Sequence, residues 1–340
     1  MAKSASSIKA QFAYFVGYIA VALGVFFALC VANRPRFWWQ ELFCSFALYW
    51  LPLAGIAFWY LLWIIAKRVS CRSFLLWLGV LAHGYAISFM SLKTLPYLYY
   101  NSWPAVDREN DRRVTGLWID DWNQDRNASD LEGVIHEHRA DLLILAGKNL
   151  EVVRHKFRDL SFPHSECVDS VEEKSICVAS VFAIYPQSIF NLGVNAWPGG
   201  VFNISLGGGV EFKLGVINLE RSLSKDIFER NRVTARRLSS IMRDSDGLRI
   251  VAGQFNAAPF SQLVSVYSEQ ARMRSLLFGN SKVNSAGWSA SLVPTMGHNV
   301  LVSKEIAPSE IYRFKASSEI GELLWFEIAI GQSIASPYKK

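Results

Sequence analysis

The hydrophobic pattern changes character about a third of the way along the chain. From about Gln11 to Ala32, Leu42 to Ala66 and Phe74 to Leu92, apolar positions run on without the polar face that a surface helix needs. Each stretch approaches or exceeds the about 20 residues that a helix takes to cross a hydrocarbon core. Residues 1–100 are therefore predicted to form a three-helix transmembrane anchor. Pro52 and Gly55 are compatible with such a helix, because neighbouring groups can satisfy the freed backbone. A cleaved signal peptide would account for the first stretch alone.

Beyond this segment, short apolar runs alternate with helix-period segments. The runs "RVTGLWI", "ADLLILAG", "ICVASVFAIYP", "VFNISL", "VEFKLGVINL", "LRIVAGQF", "NVLVSKEI" and "ELLWFEIAI" predict strands. "ASDLEGVIHEHR" predicts a helix with Ser129 or Asp130 near its cap. In "SLGGGVEF" three glycines supply the positive φ of a hairpin turn. Strands in two groups with helices between them predict an α/β domain over 101–340, built of two packed sheets covered by helices.

Charge adds an orientation. Lys3 and Lys9 precede the first apolar stretch, and Lys67, Arg68 and Arg72 separate the second from the third, against Arg34, Arg36 and Lys93 on the other side. The bias places the N-terminus inside and the C-terminal domain outside, in a multi-pass protein of the inner membrane with a periplasmic domain. Trp38, Trp39, Tyr97, Tyr99 and Tyr100 stand where interfacial aromatic residues belong. Of the net charge of +6, part is membrane flank and part is "ERNRVTARRLSSIMR" (229–243), which reads as a helix with a solvated basic face. Nucleic acid is not an expected partner on that side of a membrane.

The outer domain has two cysteines, Cys167 and Cys177, in "HSECVDSVEEKSICVAS". The polar residues between them suggest a surface hairpin or loop that a disulfide could staple, with Cα atoms about 4.4–6.8 Å apart. Two free thiols are the other reading. A metal pair has little support, since no further Cys or nearby His completes a tetrahedral set.

The most informative stretch is "VAGQFNAAPFS" (251–261). With "DLEGVIHEHR", "ADLLILAG", the Cys-flanked loop, "EFKLGVINLE" and "HNVLVS" in this order, it resembles the endonuclease/exonuclease/phosphatase superfamily across about 112–331. In particular it is similar to a bacterial subgroup with three N-terminal membrane helices. The resemblance implies a four-layer α/β sandwich, two mixed sheets between helices, and metal-assisted phosphoester hydrolysis in which Mg²⁺, carboxylates, an Asn and two His act together.

The same resemblance locates the family's catalytic positions, and most are replaced. The Asn after the first strand falls at about Trp118, and the metal-binding Glu at Gly147, beside Lys148. A strand-end His falls at Asn218, and the Asp of Gly-Asp-Phe-Asn at Gln254, while Asn256 is retained. The late Asp-His falls at His298 and Asn299, and the C-terminal Asp-His near Glu319 and Ile320. Independently of any alignment, no His lies between His164 and His298 or after His298. No catalytic residue, metal or cofactor is therefore expected.

A site rebuilt from Asp120, Asp121, Asp125, Glu151 and His298 is the competing arrangement, against solvated loop carboxylates and an ordinary histidine. His136 and His138 diverge on a helix by about 200° and do not make a metal pair. Serine hydrolysis lacks a Gly-x-Ser-x-Gly elbow. The leading expectation is a membrane-anchored pseudoenzyme that binds or scaffolds other membrane-protein subunits. The alternatives are a Mg²⁺-dependent phosphodiesterase or phosphatase with a rebuilt site, and a non-catalytic sensor of phosphate or lipid head groups.

Overall fold

The structure, a computed structural model, describes residues 2–32, 37–40, 47–67, 74–99, 112–122, 128–148, 150–170, 173–190, 197–257, 261–275, 298–315 and 322–330. The chain divides into two compact units, Met1–Pro96 and Tyr97–Lys340.

The first unit contains helices α1 (Ala2–Ala32), α2 (Ala47–Lys67) and α3 (Phe74–Tyr99). Two of them are long and apolar enough to cross a membrane by length and composition, through Gln11–Cys30 and Phe74–Leu92. In α2 the apolar stretch is shorter, Trp50–Ala66, and the start predicted for it at Leu42 lies outside the described residues. Many large apolar side chains face outward here, while others, Leu61, Ile64 and Leu76 among them, pack inside. Phe12, Ile56, Trp59, Leu81 and Leu92 are 68–72% exposed, whereas Ala54, Ala86 and His83 are wholly buried. Small residues let the helices approach: a Cβ on Gly24 would meet the His83 ring at 2.6 Å, and one on Gly79 would meet Val21 at 2.7 Å. The His83 Nε2–H donates to the Ala20 carbonyl at 2.8 Å, tying α3 to α1. Close packing at small residues and hydrogen bonds between helices are what hold helices together where apolar burial gives no net drive.

The second unit is an α/β sandwich. One six-stranded sheet has the order β11-β12-β1-β2-β4-β3, from β1 (Arg112–Trp122), β2 (Leu142–Lys148), β3 (His164–Asp169), β4 (Lys174–Ser180), β11 (Ala307–Lys315) and β12 (Glu322–Ile330). The other has the order β5-β6-β7-β8-β10-β9, from β5 (Ala183–Phe190), β6 (Gly199–Gly207), β7 (Val210–Asn218), β8 (Leu248–Gln254), β9 (Met273–Ser275) and β10 (His298–Ser303). Each sheet is mixed, with one parallel pair in an otherwise antiparallel order: β1 with β2, and β7 with β8. Helix α4 (Ala128–His138) connects the first pair and α6 (Lys225–Arg243) the second. A short α5 (Glu151–Arg154) follows β2, and α7 (Gln262–Gln270) follows β8.

Alternation along the strands builds three apolar layers. Trp118, Ile144, Ile176, Val216, Ile250, Val300 and Phe326 fill the space between the sheets. Leu117, Ile119, Leu143 and Leu145 face the other way, onto Leu131 and Ile135 of α4 and onto Phe157 and Phe162. Val201, Ile217, Val251 and Leu301 pack under Leu238 and Met242 of α6 and Leu263 and Tyr267 of α7. The order helix, sheet, sheet, helix is the expected four-layer arrangement.

One predicted run divides between the two sheets. "ICVASVFAIYP" forms two strands, β4 and β5, which belong to different sheets. The chain turns a corner at Val181–Phe182, where the Val181 N–H donates to the Asp141 carbonyl and the Phe182 N–H to Ser180 Oγ. An unbroken apolar run conceals that corner, because apolar residues continue from the buried β4 through Val181 and Phe182 into β5. The Cys-flanked segment is an ordered β3–β4 hairpin in which Cys167 and Cys177 pair directly and form a disulfide. Their Cα atoms are 4.0 Å apart, closer than expected from sequence, because the two residues face each other across an antiparallel ladder.

Closing so short a loop restricts the unfolded chain by an amount worth about 2–3 kcal/mol. Cys167→Ser with Cys177→Ser should therefore lower the denaturation midpoint, and reductant should have no further effect on the double variant. A reductant response in that variant equal to the wild type's would show that the bond is not what the reductant acts on.

Candidate functional site

The crossovers at α4 and α6 point the C-terminal ends of β1, β2, β7 and β8 to the same edge of the sandwich. Gly253 brings β7 and β8 close together there. A Cβ at this position would lie 2.0 Å from the Ile217 carbonyl oxygen, so the Gly of "GQFN" is required by backbone approach. Across the two strand ends, the Leu219 N–H donates to the Gln254 carbonyl at 2.7 Å. Asn256 completes the junction. Its φ is +45°, a conformation Asn tolerates better than most residues, and its Nδ2 donates to the Leu219 carbonyl at 2.6 Å. The retained Asn is thus bonded to the backbone of the neighbouring strand.

Register brings several aligned positions side by side. Gln254 pairs with Asn218 on one side and His298 on the other, and Asn299 pairs with Gly253. The Oδ1 of Asn299 accepts from Ser275 Oγ at 2.7 Å. In the other sheet Trp118 is fully buried in the inter-sheet core, two residues short of this edge. The residue of the same strand face that reaches the edge is Asp120. β1 extends to Trp122, so Asp120 belongs to the strand and is 9% exposed, where the sequence suggested a solvated loop. Asp120 Oδ1 accepts from Asn218 Nδ2 at 3.1 Å, across the gap between the sheets. On β2, alternation turns Ala146 inward with Ile144, and Lys148 shares that parity, whereas Gly147 shares the parity of Leu143 and Leu145. None of these three residues is a carboxylate. Asp125, Glu319 and Ile320 lie outside the described residues.

A second bridge runs beside the first. Lys174 opens β4 opposite Lys148, and its Nζ meets Glu220 Oε1 at 2.7 Å, two residues past the end of β7. Arg230 of α6 approaches the other Glu220 oxygen at 3.6 Å, and Trp197 lies 5.6 Å beneath the Lys174 ammonium. Asn231 Nδ2 holds the Glu220 carbonyl at 2.7 Å. Both bridges are direct side-chain contacts between the sheets, and spacing arguments do not reveal either of them. The partners lie 98 and 46 residues apart, and each residue alone resembles an ordinary surface polar group.

These residues do not fit a divalent cation. Mg²⁺ takes oxygen ligands at about 2.0–2.1 Å, including one or two carboxylates. At this edge the described inward-facing carboxyl group is Asp120, already engaged by Asn218, and Lys148 and Lys174 add positive charge beside it. No group of three or more His, Cys, Asp or Glu that could hold a metal occurs among the described residues. The His136/His138 pair is separate. His136 sits 3.9 Å from Glu132, and His138, whose carbonyl accepts from Trp325 Nε1, packs against that indole.

No family model matches this chain, and neither does any curated protein sequence. Solved structures do. The endonuclease/exonuclease/phosphatase protein of Beutenbergia cavernae aligns with a TM-score of 0.51 at 10% identity, over 65% of this chain and 72% of that one. Family proteins of Bacteroides thetaiotaomicron (TM-score 0.46, 11% identity, 68% and 99% covered) and Bacteroides vulgatus (0.48, 12%, 65% and 100%) are also similar. The likeness is one of fold: the α/β sandwich here is of the endonuclease/exonuclease/phosphatase kind.

In a double-mutant cycle, Asp120→Ala and Asn218→Ala should couple by about 0.5–3 kcal/mol, as contacting partners do; additive effects would mean the bridge contributes nothing. Burial, the main cause, pulls the His138 pKa below its ordinary value. The folded state therefore resists protonation, and stability should fall as pH drops through about 6.5, where the unfolded residue charges. His138→Gln should flatten that part of the stability–pH curve, as measured by denaturant midpoints.

Proposed function

We propose that this chain is a membrane-anchored pseudoenzyme of the endonuclease/exonuclease/phosphatase superfamily, a non-catalytic binding or scaffold subunit of a membrane-associated assembly. The observation that carries the reading is the pair of inter-sheet bridges at the strand ends. Asp120–Asn218 and Lys174–Glu220 use amide and ammonium donors at the edge where a phosphoester hydrolase of this fold needs a cation held by free carboxylates. Bridging makes the edge a structural junction, and the partner surface then lies elsewhere on the domain.

Anchoring is supported by the first unit, in which many large apolar side chains, Phe12, Trp59 and Leu92 among them, face outward. In this reading all three helices cross the inner membrane, with the N-terminus cytoplasmic and the sandwich periplasmic. The Cys167–Cys177 bond supports an oxidising compartment.

Full-length protein in detergent should release no product above background from single-stranded DNA, phosphoinositides or bis(p-nitrophenyl) phosphate. Mg²⁺ or Mn²⁺ at millimolar concentration should leave its denaturation midpoint unmoved, since a ligand that binds only the folded state must raise it. Neither Gly147→Glu nor Lys148→Glu, each combined with Gln254→Asp, should restore turnover, because the imidazoles that stabilise developing charge are missing and each such group is worth about 10²–10³ in rate. Metal-dependent turnover by the unmodified chain would refute the pseudoenzyme reading. Gentle extraction should bring down a membrane-protein partner in fixed ratio.

A further inference from the structure

A cleft of about 490 Å³ lies at the opposite end of β8 from Gln254, where α6 and α7 both terminate. Small-molecule sites span about 300–1,000 Å³, so the space suffices for a ligand. Its lining is charged in both senses. Arg243 meets Asp244 at 2.7 Å, Glu305 is within electrostatic reach of Arg274, and Glu269 is engaged as well. Asp246 and Arg272 differ from these. Both are exposed and line the cleft from different elements, yet neither makes an ion pair or side-chain hydrogen bond among the described residues. Arg249 lines the cleft too. Its Nη1 donates to the Met242 carbonyl at 2.8 Å, and no carboxylate meets it among the described residues.

The backbone singles out Arg272 further. It follows Ala271, the C-cap of α7, with φ +54°, in the left-handed position that glycine usually fills. Strain of this kind collects at binding sites. Asp246 stands in the turn from α6 into β8, directly before Gly247 with its φ of +87°. Opposite charges that share a cleft without meeting fit a ligand that carries both. Guanidinium groups grip a carboxylate with two parallel hydrogen bonds. A carboxylate beside two helix C-termini, which bear partial negative charge, favours an ammonium. We propose that this cleft binds a zwitterion, an α-amino acid or a short peptide with free ends. Its carboxylate meets Arg272 and Arg249, and its ammonium meets Asp246. A simple anion would leave Asp246 unmatched, and a simple cation would face two guanidinium groups.

The test is equilibrium dialysis of the full-length protein in detergent against radiolabelled L-alanine and L-alanyl-L-alanine. At least one of the two should bind saturably. Acetylating its amine or amidating its carboxylate should weaken competition by about tenfold or more, since each change removes one charge-assisted contact. Asp246→Asn should erase the preference for a free amine. Arg272→Gly should weaken binding by about tenfold. Glycine relieves the left-handed backbone at that position, so this variant keeps its fold and its loss of binding reports the missing guanidinium. The inference is overturned by any of three results: neither probe binds saturably, the blocked forms compete as well as the free ones, or both variants bind like the wild type.

Discussion

A carboxyl group buried between two sheets must be bonded by something. Removing such a group from water without a partner costs several kcal/mol, more than any single packing contact returns. Asp120 is in that position, at the edge where the parallel strands of both sheets end. Here the Asn218 amide engages it, and Lys174 does the same for Glu220 next to it. The rest of the edge follows from these two bridges. They tie the two sheets together where the apolar core gives out, and each engages a carboxyl oxygen at that edge.

Below that edge the sandwich is held by ordinary means. The inter-sheet layer is almost wholly aliphatic and aromatic, and burial of such side chains is the main term favouring the fold. Gly116 shows how closely it is packed: a Cβ there would lie 2.1 Å from the Phe326 ring, which covers the glycine from the paired strand. Near the opposite end of β1, Arg112 donates to the Leu206 carbonyl of the other sheet. Polar contacts between sheets thus sit at the ends of the strands, where apolar side chains give way to polar ones.

The first unit solves the opposite solvation problem. Large apolar side chains such as Phe12, Trp59 and Leu92 lie on its exterior, while Ala54, Ala86 and the hydrogen-bonded His83 lie inside with Leu61, Ile64 and Leu76. This apolar exterior is what supports the proposed anchor.

Sequence alone determined what depends on local period and residue type. The apolar stretches, the alternation of "RVTGLWI" and "VEFKLGVINL", the glycine hairpin and the order of strands and helices were all legible, because side-chain burial imprints periods of 2 and 3.6. What sequence could not supply was pairing across distance. β11, "APSEIYRFK", alternates too weakly to be read as a strand, and its pairing with β12 comes from the sheet. The corner at Val181 vanished into a continuous apolar run. Trp118 and Asp120 differ by one pleat, yet one is core and the other meets Asn218, 98 residues away. Only the tertiary structure decided this, because the partner of a buried polar group is chosen by the packing of the two sheets, and no local pattern in either strand encodes it.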